Sequence, residues 1–291
     1  MTPAKTNAVL LIPLLVAFSP HALPSPSASP VRISGSTTVN PVVAEAAEHL
    51  REARGMRLRT DTSGGSSGGI NALGDGRADI AMSSRPLNER DRRVFPDTDF
   101  RPVRIGEDII SIIVSRDVHL AGIRSIDKTR MRGIYEKTIR NWETLGGRDR
   151  RIVFFNKEPG RGTRQVFLEW LYGGPDNAPR VSHPEVGANA EVRSKVARTP
   201  GALSFVSSAW VDERTIFPLA LRNADGESPA DTATDGEQPL VRPLYLITDG
   251  EPRGGAAILI DYLLSENGQA LVRKHGYRAL EGFRDATHGP R

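Results

Sequence analysis

Between Val31 and Met82 strand and helix signals alternate so tightly that few fold classes accommodate them. Val31-Arg32-Ile33 predicts a short strand. Asn40 is placed to cap a helix with Pro41 at its first position, and Val42, Val43, Ala46, Ala47 and Leu50 give that helix an apolar stripe. Met56, Leu58 and Thr60 alternate with charged residues as a second strand. Gly68 to Leu73 predicts a short helix and Ala78 to Met82 a third strand. Strand–helix–strand–helix–strand predicts an α/β fold: a mainly parallel sheet covered by helices, with ligands at the carboxyl ends of the strands.

Three segments rich in small hydroxyl residues and glycine lie where helices should begin. They are Ser34-Gly35-Ser36-Thr37-Thr38, Ser63 to Gly69 and Gly160-Arg161-Gly162-Thr163. A helix start leaves backbone N–H groups unpaired and carries partial positive charge, and glycine lets a ligand approach them. Three such segments point to an oxyanion held between helix termini. Each has a plainer reading. Ser36 to Thr38 suits an ordinary helix cap, and Ser63 to Gly69 suits either a flexible linker or a backbone nest for an anion. Ser83-Ser84-Arg85-Pro86 follows a buried-looking strand, where Arg85 is either a surface charge or a fork for an oxyanion.

Further along, Ile109 to Val114 is an apolar run that suits a fully buried strand. A helix capped by Ser125 is expected up to Tyr135, a strand at Ile152 to Phe155, and a helix from about Thr163 with Val166, Phe167, Trp170 and Leu171 on one side. Strands follow at Ala202 to Val206 and Val241 to Ile247. Gly254 to Lys274 reads as helix with a break at Asn267-Gly268, and residues 223–239, acidic and rich in turn formers, as a surface loop.

Lys5 is the one Lys, Arg, Asp or Glu before Arg32, and Ala8 to Phe18 forms a short apolar stretch containing Pro13. Residues 1–29 therefore read as an export signal, with cleavage near Ala22 or Ala28. A retained anchor is the alternative. The 291 residues contain no cysteine, which excludes disulfides, thiol catalysis and Cys-ligated metals. Net charge is only +4, but from Arg124 to Arg164 twelve Lys/Arg face five Asp/Glu. That surplus is a solvated basic face or a field that attracts a small anion. Balanced charge overall and 6% aromatic residues argue against a nucleic-acid binder. There is no HExxH, GxSxG or Walker lysine, and no histidine pair at ligand spacing, so neither catalysis nor a metal or cofactor is expected.

In order along the chain, Ser34-Gly35-Ser36-Thr37-Thr38-Val39-Asn40-Pro41, Gly65 to Ile70 and Ala78 to Leu87 resemble the phosphate-binding protein family of bacterial ABC phosphate importers. Ile139-Arg140-Asn141-Trp142, Gly160 to Arg164 and Pro200 to Val206 continue the likeness. The resemblance implies a two-lobed periplasmic-binding-protein fold, type II, with mixed, mostly parallel sheets flanked by helices. Lobe 1 would comprise residues 30–110 plus 241–291, and lobe 2 residues 111–240. It implies a monomeric, periplasmic binding protein that takes inorganic phosphate and passes it to ABC permease subunits. By matching motifs the ligand would be held by Ser36, Thr37, Thr38, Ser66, Ser67, Ser84, Arg85, Lys157, Arg161, Gly162 and Thr163. Ser84 falls where some members carry an Asp that accepts the proton of hydrogen phosphate. Lys157 stands where the family usually has Arg, and Arg161 where it usually has Ser, so Arg161 is expected to contact the ligand and favour doubly charged oxyanions. Another oxyanion (sulfate, molybdate or tungstate), or phosphate sensing or scavenging without transport, remains an open alternative.

Overall fold

The opening alternation folds as β1 (Val31–Gly35), α1 (Asn40–Arg54), β2 (Leu58–Asp61), α2 (Gly65–Gly74) and β3 (Ile80–Ser83) in the computed structural model, which describes residues 29–222 and 240–281. β1 lies between β2 and β3 and is parallel to both. After α3 (Glu89–Val94), whose Asn88–Asp91 capping box starts it cleanly, comes the 16-residue β4 (Phe100–Ser115). The second half of the chain adds α4 (Arg116–Leu120), β5 (Ser125–Asp127), α5 (Lys128–Tyr135), β6 (Val153–Phe154), β7 (Asn156–Lys157) and α6 (Gly162–Tyr172). Then come β8 (Glu185–Val186), α7 (Asn189–Arg198), β9 (Ala202–Ser207) and β10 (Ile216–Arg222). The chain returns through β11 (Leu240–Asp249) to α8 (Gly254–Leu264) and α9 (Glu266–Lys274).

The main sheet runs β2-β1-β3-β11-β4-β10-β5, with β9 also on β4 and β6 on β9; β7 and β8 pair separately. Parallel pairs make up the flanks, while β4 and β11 run antiparallel at the centre, from Phe100–Asp249 to Ile110–Leu240. From Ile110 onward β4 pairs instead with β9 and β10. One strand thus serves both halves of the sheet.

Alternation along the strands divides the core by face. Ile33, Ile80 and Met82 pack under α1, α8 and α9 against Val42, Val43, Leu50, Leu259 and Leu263, while Ala81 points the other way, to Ile70, Leu73 and Phe100. In the second half Ile112 and Val114 join Phe154, Phe167, Phe205 and Trp142, with the Phe167 and Phe205 rings stacked at 4.0 Å. Ile113 faces Val192, Val196 and Val206 beneath α7. Both faces are covered, as the apolar strands require.

Four local expectations need correcting. Asn40 does not cap α1. The Ser36 hydroxyl does that work one turn earlier, accepting from the N–H groups of Thr38 (3.1 Å) and Val39 (3.4 Å). α2 begins at Gly65 rather than Gly68, which draws Ser66 and Ser67 into its first turn. Ser125 starts β5, and the α5 cap is Asp127, which accepts from the N–H of Arg130. The break between α8 and α9 falls at Ser265, whose extended backbone and hydroxyl start α9. Gly268 lies inside α9, where a Cβ would meet the Tyr262 carbonyl at 2.1 Å, so that glycine marks close packing and not a break. The export signal and the 223–239 loop lie outside the described residues.

Candidate functional site

The carboxyl ends of β1 and β3 and the start of α2 come together because Gly35 allows it. It sits at φ +136°, and a Cβ there would fall 2.1 Å from the Met82 carbonyl. Ser36, Thr37 and Thr38 leave β1, Ser84 leaves β3, and Gly65 and Ser66 open α2. From the second half, β7 supplies Lys157 and the start of α6 supplies Arg161, Gly162 and Thr163. These residues enclose a polar cavity of about 10 Å³, on the order of one water. Gly162 sets the approach between the halves, since a Cβ on it would lie 2.5 Å from Ser66 Oγ and 2.8 Å from Ser84 Oγ. In the first turn of α6 the Arg164 N–H donates to the Arg161 carbonyl (3.0 Å), while the N–H groups of Gly162 and Thr163 precede the first carbonyl a helix can offer them.

Nearly all the residues singled out from the sequence meet here. Two stand just outside the lining. Arg85 is buried against Asp91 in a two-bonded pair (2.6 and 2.9 Å) and also donates to Ser67 Oγ (3.1 Å). Ser67 binds across to the second half: its N–H donates to the Gly160 carbonyl (3.0 Å), and its hydroxyl accepts from Gln165. Both residues support the wall and do not face the cavity.

The hydroxyls are bonded to one another. Ser36 Oγ donates to Ser84 Oγ (3.0 Å), and Ser84 Oγ lies 3.3 Å from Ser66 Oγ, which accepts from the Ser84 N–H (3.1 Å). Arg161 is 9% exposed and holds Glu158 through Nε and Nη2 (3.1 and 2.7 Å), while its Nη1 reaches across to the Thr62 carbonyl (3.2 Å). It closes the mouth of the cavity as well as lining it.

Lys157 is 1% exposed. Its Nζ donates to Asn189 Oδ1 (3.0 Å) and the Gly187 carbonyl (3.3 Å), and among the described residues no carboxylate lies within ion-pair distance. Burial, aided by Arg242 and Arg161, pulls its ammonium down to about 7. A buried cation without a counter-charge is costly unless something anionic joins it.

Four contributors were missed in the sequence. Arg242 on β11 is 1% exposed and pairs through Nε and Nη2 with Asp108 on β4 (2.9 and 2.7 Å). Its Nη1 donates to Thr163 Oγ1 (2.8 Å) and Ser84 Oγ (3.2 Å), and Nη2 to Thr38 Oγ1 (3.0 Å). Burial pushes the Asp108 carboxyl up, while Arg242 and the Ser207 hydroxyl (2.7 Å) work to keep it charged. Asn189 also donates to Thr38 Oγ1 (3.0 Å), and the Tyr277 hydroxyl, its own pKa raised by burial, donates to the Thr38 carbonyl (2.6 Å). The available signal was an arginine in the apolar alternation of a late strand, at a position whose neighbours Leu244 and Leu246 face the core.

Chemically the site offers hydroxyl and N–H donors and a cation, with no carboxylate in the lining. Among the described residues no three His, Cys, Asp or Glu side chains are grouped to hold a metal, and no helix is long and apolar enough to cross a membrane.

Strand ends from two halves of one α/β sheet, facing a small polar cavity between helix starts, are the architecture of a periplasmic-binding-protein domain. The chain belongs to that superfamily: the family model for the PBP superfamily domain matches residues 21–267. A relative is the phosphate-binding protein PstS of Bacillus subtilis, 29% identical over 84% of this chain and 79% of its own length. A Clostridium perfringens protein, assigned as a phosphate ABC transporter substrate-binding protein and crystallised with bound phosphate, is 25% identical. It superposes with a TM-score of 0.73 over 87% of this chain and all of its own. An ABC-type phosphate transport receptor from Vibrio cholerae shares the fold, with a TM-score of 0.65 over 86% of this chain and all of its own at 23% identity.

Proposed function

We propose that this chain is an exported, non-enzymatic solute-binding protein that captures inorganic phosphate in this cavity and delivers it to the permease of an ABC importer. The observation that carries the reading is Lys157, a buried ammonium facing a ring of hydroxyl donors with no carboxylate opposite it. The names and bound ligand of the relatives support phosphate as the guest.

The binding cycle follows from the geometry. Residues 30–110 with 241–291 act as one lobe and 111–240 as the other, opening about β4 and β11 where they pass between the halves. The enclosed space is smaller than a tetrahedral anion, so the halves separate to admit it. The anion then replaces the mutual bonds of Ser36, Ser66 and Ser84, and closure restores the crossing contacts of Arg161 to Thr62 and Ser67 to Gly160. Hydrogen bonds to a charged acceptor contribute about 1.5–3 kcal/mol each. A handful of them, less the cost of desolvation and closure, reaches micromolar affinity, about −8 kcal/mol. Titration calorimetry of the mature monomer with sodium phosphate tests this: a saturable 1:1 isotherm is expected, and the absence of both binding heat and a thermal shift in millimolar phosphate refutes it. Recovery of the protein in the periplasmic fraction, with phosphate uptake lost on deletion of its gene, tests export and delivery.

A further inference from the structure

A second space lies against the cavity, on the seam between the halves. It is a half-open groove of about 280 Å³, against about 10 Å³ for the cavity, with room for an oxyanion still carrying its waters. Arg90 on α3 reaches it from the first half. Tyr135 at the end of α5, Gly160 before α6, Arg164 and Gln165 on α6, and Arg180 beyond it form the other side. Three guanidinium groups line the groove and no carboxylate does; the rest of the lining is proline and other uncharged residues. Arg164 donates to the Lys157 carbonyl (2.7 Å) and to Glu185 (2.8 Å), which stands outside the lining. Arg90 and Arg180 are exposed, and among the described residues their side chains bond to nothing. Charges of one sign over low-dielectric walls focus field lines into a cleft and concentrate counter-ions there. The cationic surplus that ends at Arg164 reads in the sequence as a solvated face or as a field; in the fold Arg90 and Arg180 join Arg164 from outside that run.

Ser67 connects the two spaces. Its N–H donates to the Gly160 carbonyl and its hydroxyl accepts from Gln165, both groove residues, while Ser66 beside it lines the cavity. These bonds cross between the halves, so opening parts them and the groove then leads into the cavity. We propose that the groove is an outer anion-binding site: hydrated phosphate collects at Arg90, Arg164 and Arg180 and passes Ser67 into the cavity while the halves are apart. This rests on the phosphate reading and adds a route to it. Charges at the rim of a site act chiefly on the rate of arrival and on its salt dependence. Arg90 and Arg180 therefore set how fast phosphate is captured, while the cavity sets how long it stays.

The test is stopped-flow fluorescence of the mature protein with sodium phosphate at pH 8, at 20 mM and 200 mM ionic strength. The variant is Arg90→Gln/Arg180→Gln. The control, Arg54→Gln/Arg198→Gln, removes the same charge from the last turns of α1 and α7, on the order of 15–20 Å along helices that start at the cavity. At 20 mM the groove variant is expected to associate about tenfold more slowly than wild type, with the dissociation rate within about threefold. The gap should shrink at 200 mM, where the screening length falls below about 10 Å, and the control should associate within about twofold of wild type. Groove and control variants that associate equally fast overturn the outer site and leave the phosphate reading standing. So does a loss that is the same at both ionic strengths and lies in the dissociation rate, as a merely structural role would give. If calorimetry shows no phosphate binding to wild type, the phosphate reading fails and the outer site with it.

Discussion

Replacing Lys157 with Met removes one proton site from the interior and changes how stability depends on pH. Burial pulls the ammonium down to about 7 in the fold against its ordinary value of 10.5. The difference corresponds to about 5 kcal/mol of penalty on the charged form, at 1.36 kcal/mol for each pH unit. The sign is fixed by linkage: between pH 7 and 10.5 the unfolded chain holds this proton and the folded one does not, so stability rises with pH across that window. Below pH 7 both states are protonated and the penalty is constant. From pH 7 to 9 this group alone makes the wild type about 2 kcal/mol more stable. Lys157→Met lacks that rise. Absolute stability is a poor readout, because Asn189 Oδ1 and the Gly187 carbonyl lose their donor in the variant; the readout is the difference in pH slope, in which other titrating groups cancel. Urea unfolding at pH 6, 7, 8 and 9 without phosphate measures it. An anion beside the ammonium raises its pKa again, so saturating phosphate should flatten the wild-type curve. At pH 8, where the free site is roughly one-tenth protonated, binding should take up about 0.9 proton more than in the variant, measurable by calorimetry in buffers of different ionisation enthalpy. Wild-type and variant curves that run parallel from pH 7 to 9, with equal proton uptake, would refute the assignment of a strained charge to Lys157.

Three further outcomes follow from the same geometry. Gly162→Ala puts a methyl 2.5 Å from Ser66 Oγ and should cost more than a hundredfold in phosphate affinity by calorimetry, with the melting temperature of the free protein within a few degrees of wild type. Arg161→Ser removes the bond to the Thr62 carbonyl across the mouth. At about 1.5–3 kcal/mol for a hydrogen bond to a charged group, phosphate should dissociate roughly ten- to a hundredfold faster in stopped-flow fluorescence. Trp142→Phe loses the indole donor to the Gly201 carbonyl (3.0 Å) in the second core and should lower unfolding free energy by about 1–3 kcal/mol while leaving phosphate affinity unchanged.

The residues legible in the sequence are those whose place in the cavity lining coincides with a demand of local structure. Ser36, Thr38, Ser66, Gly162 and Thr163 stand at strand-to-helix turns, where small hydroxyl residues and glycine are conspicuous because the backbone itself demands them. Arg242 and Asp108 are 134 positions apart in mid-strand, and only the β4–β11 register brings them together. Glu107 and Asp108 point to opposite faces, as adjacent strand residues must, with the Glu107 carboxylate on the exposed Arg104 and Asp108 buried inward. What stayed hidden was the partner waiting inside. Helix starts proved less legible than helices. At Asn40 a good capping residue was outcompeted by Ser36, which already held the N–H groups of the turn, and at Ser125 three residues of parallel pairing with β10 took the place of a first helical turn.

The late arrival of β11 has a consequence for the order of assembly. Ala81 pairs with Ile247, and the Thr38 carbonyl accepts a hydrogen bond from the Tyr277 hydroxyl, 239 positions later. As the polypeptide emerges, the first 110 residues can form their helices and the β1–β2–β3 ribbon, but one edge of that ribbon stays open until the final quarter has been made. Contacts this distant are slow to close. The first half is completed last, and the cavity lining closes only when segments 239 positions apart have met.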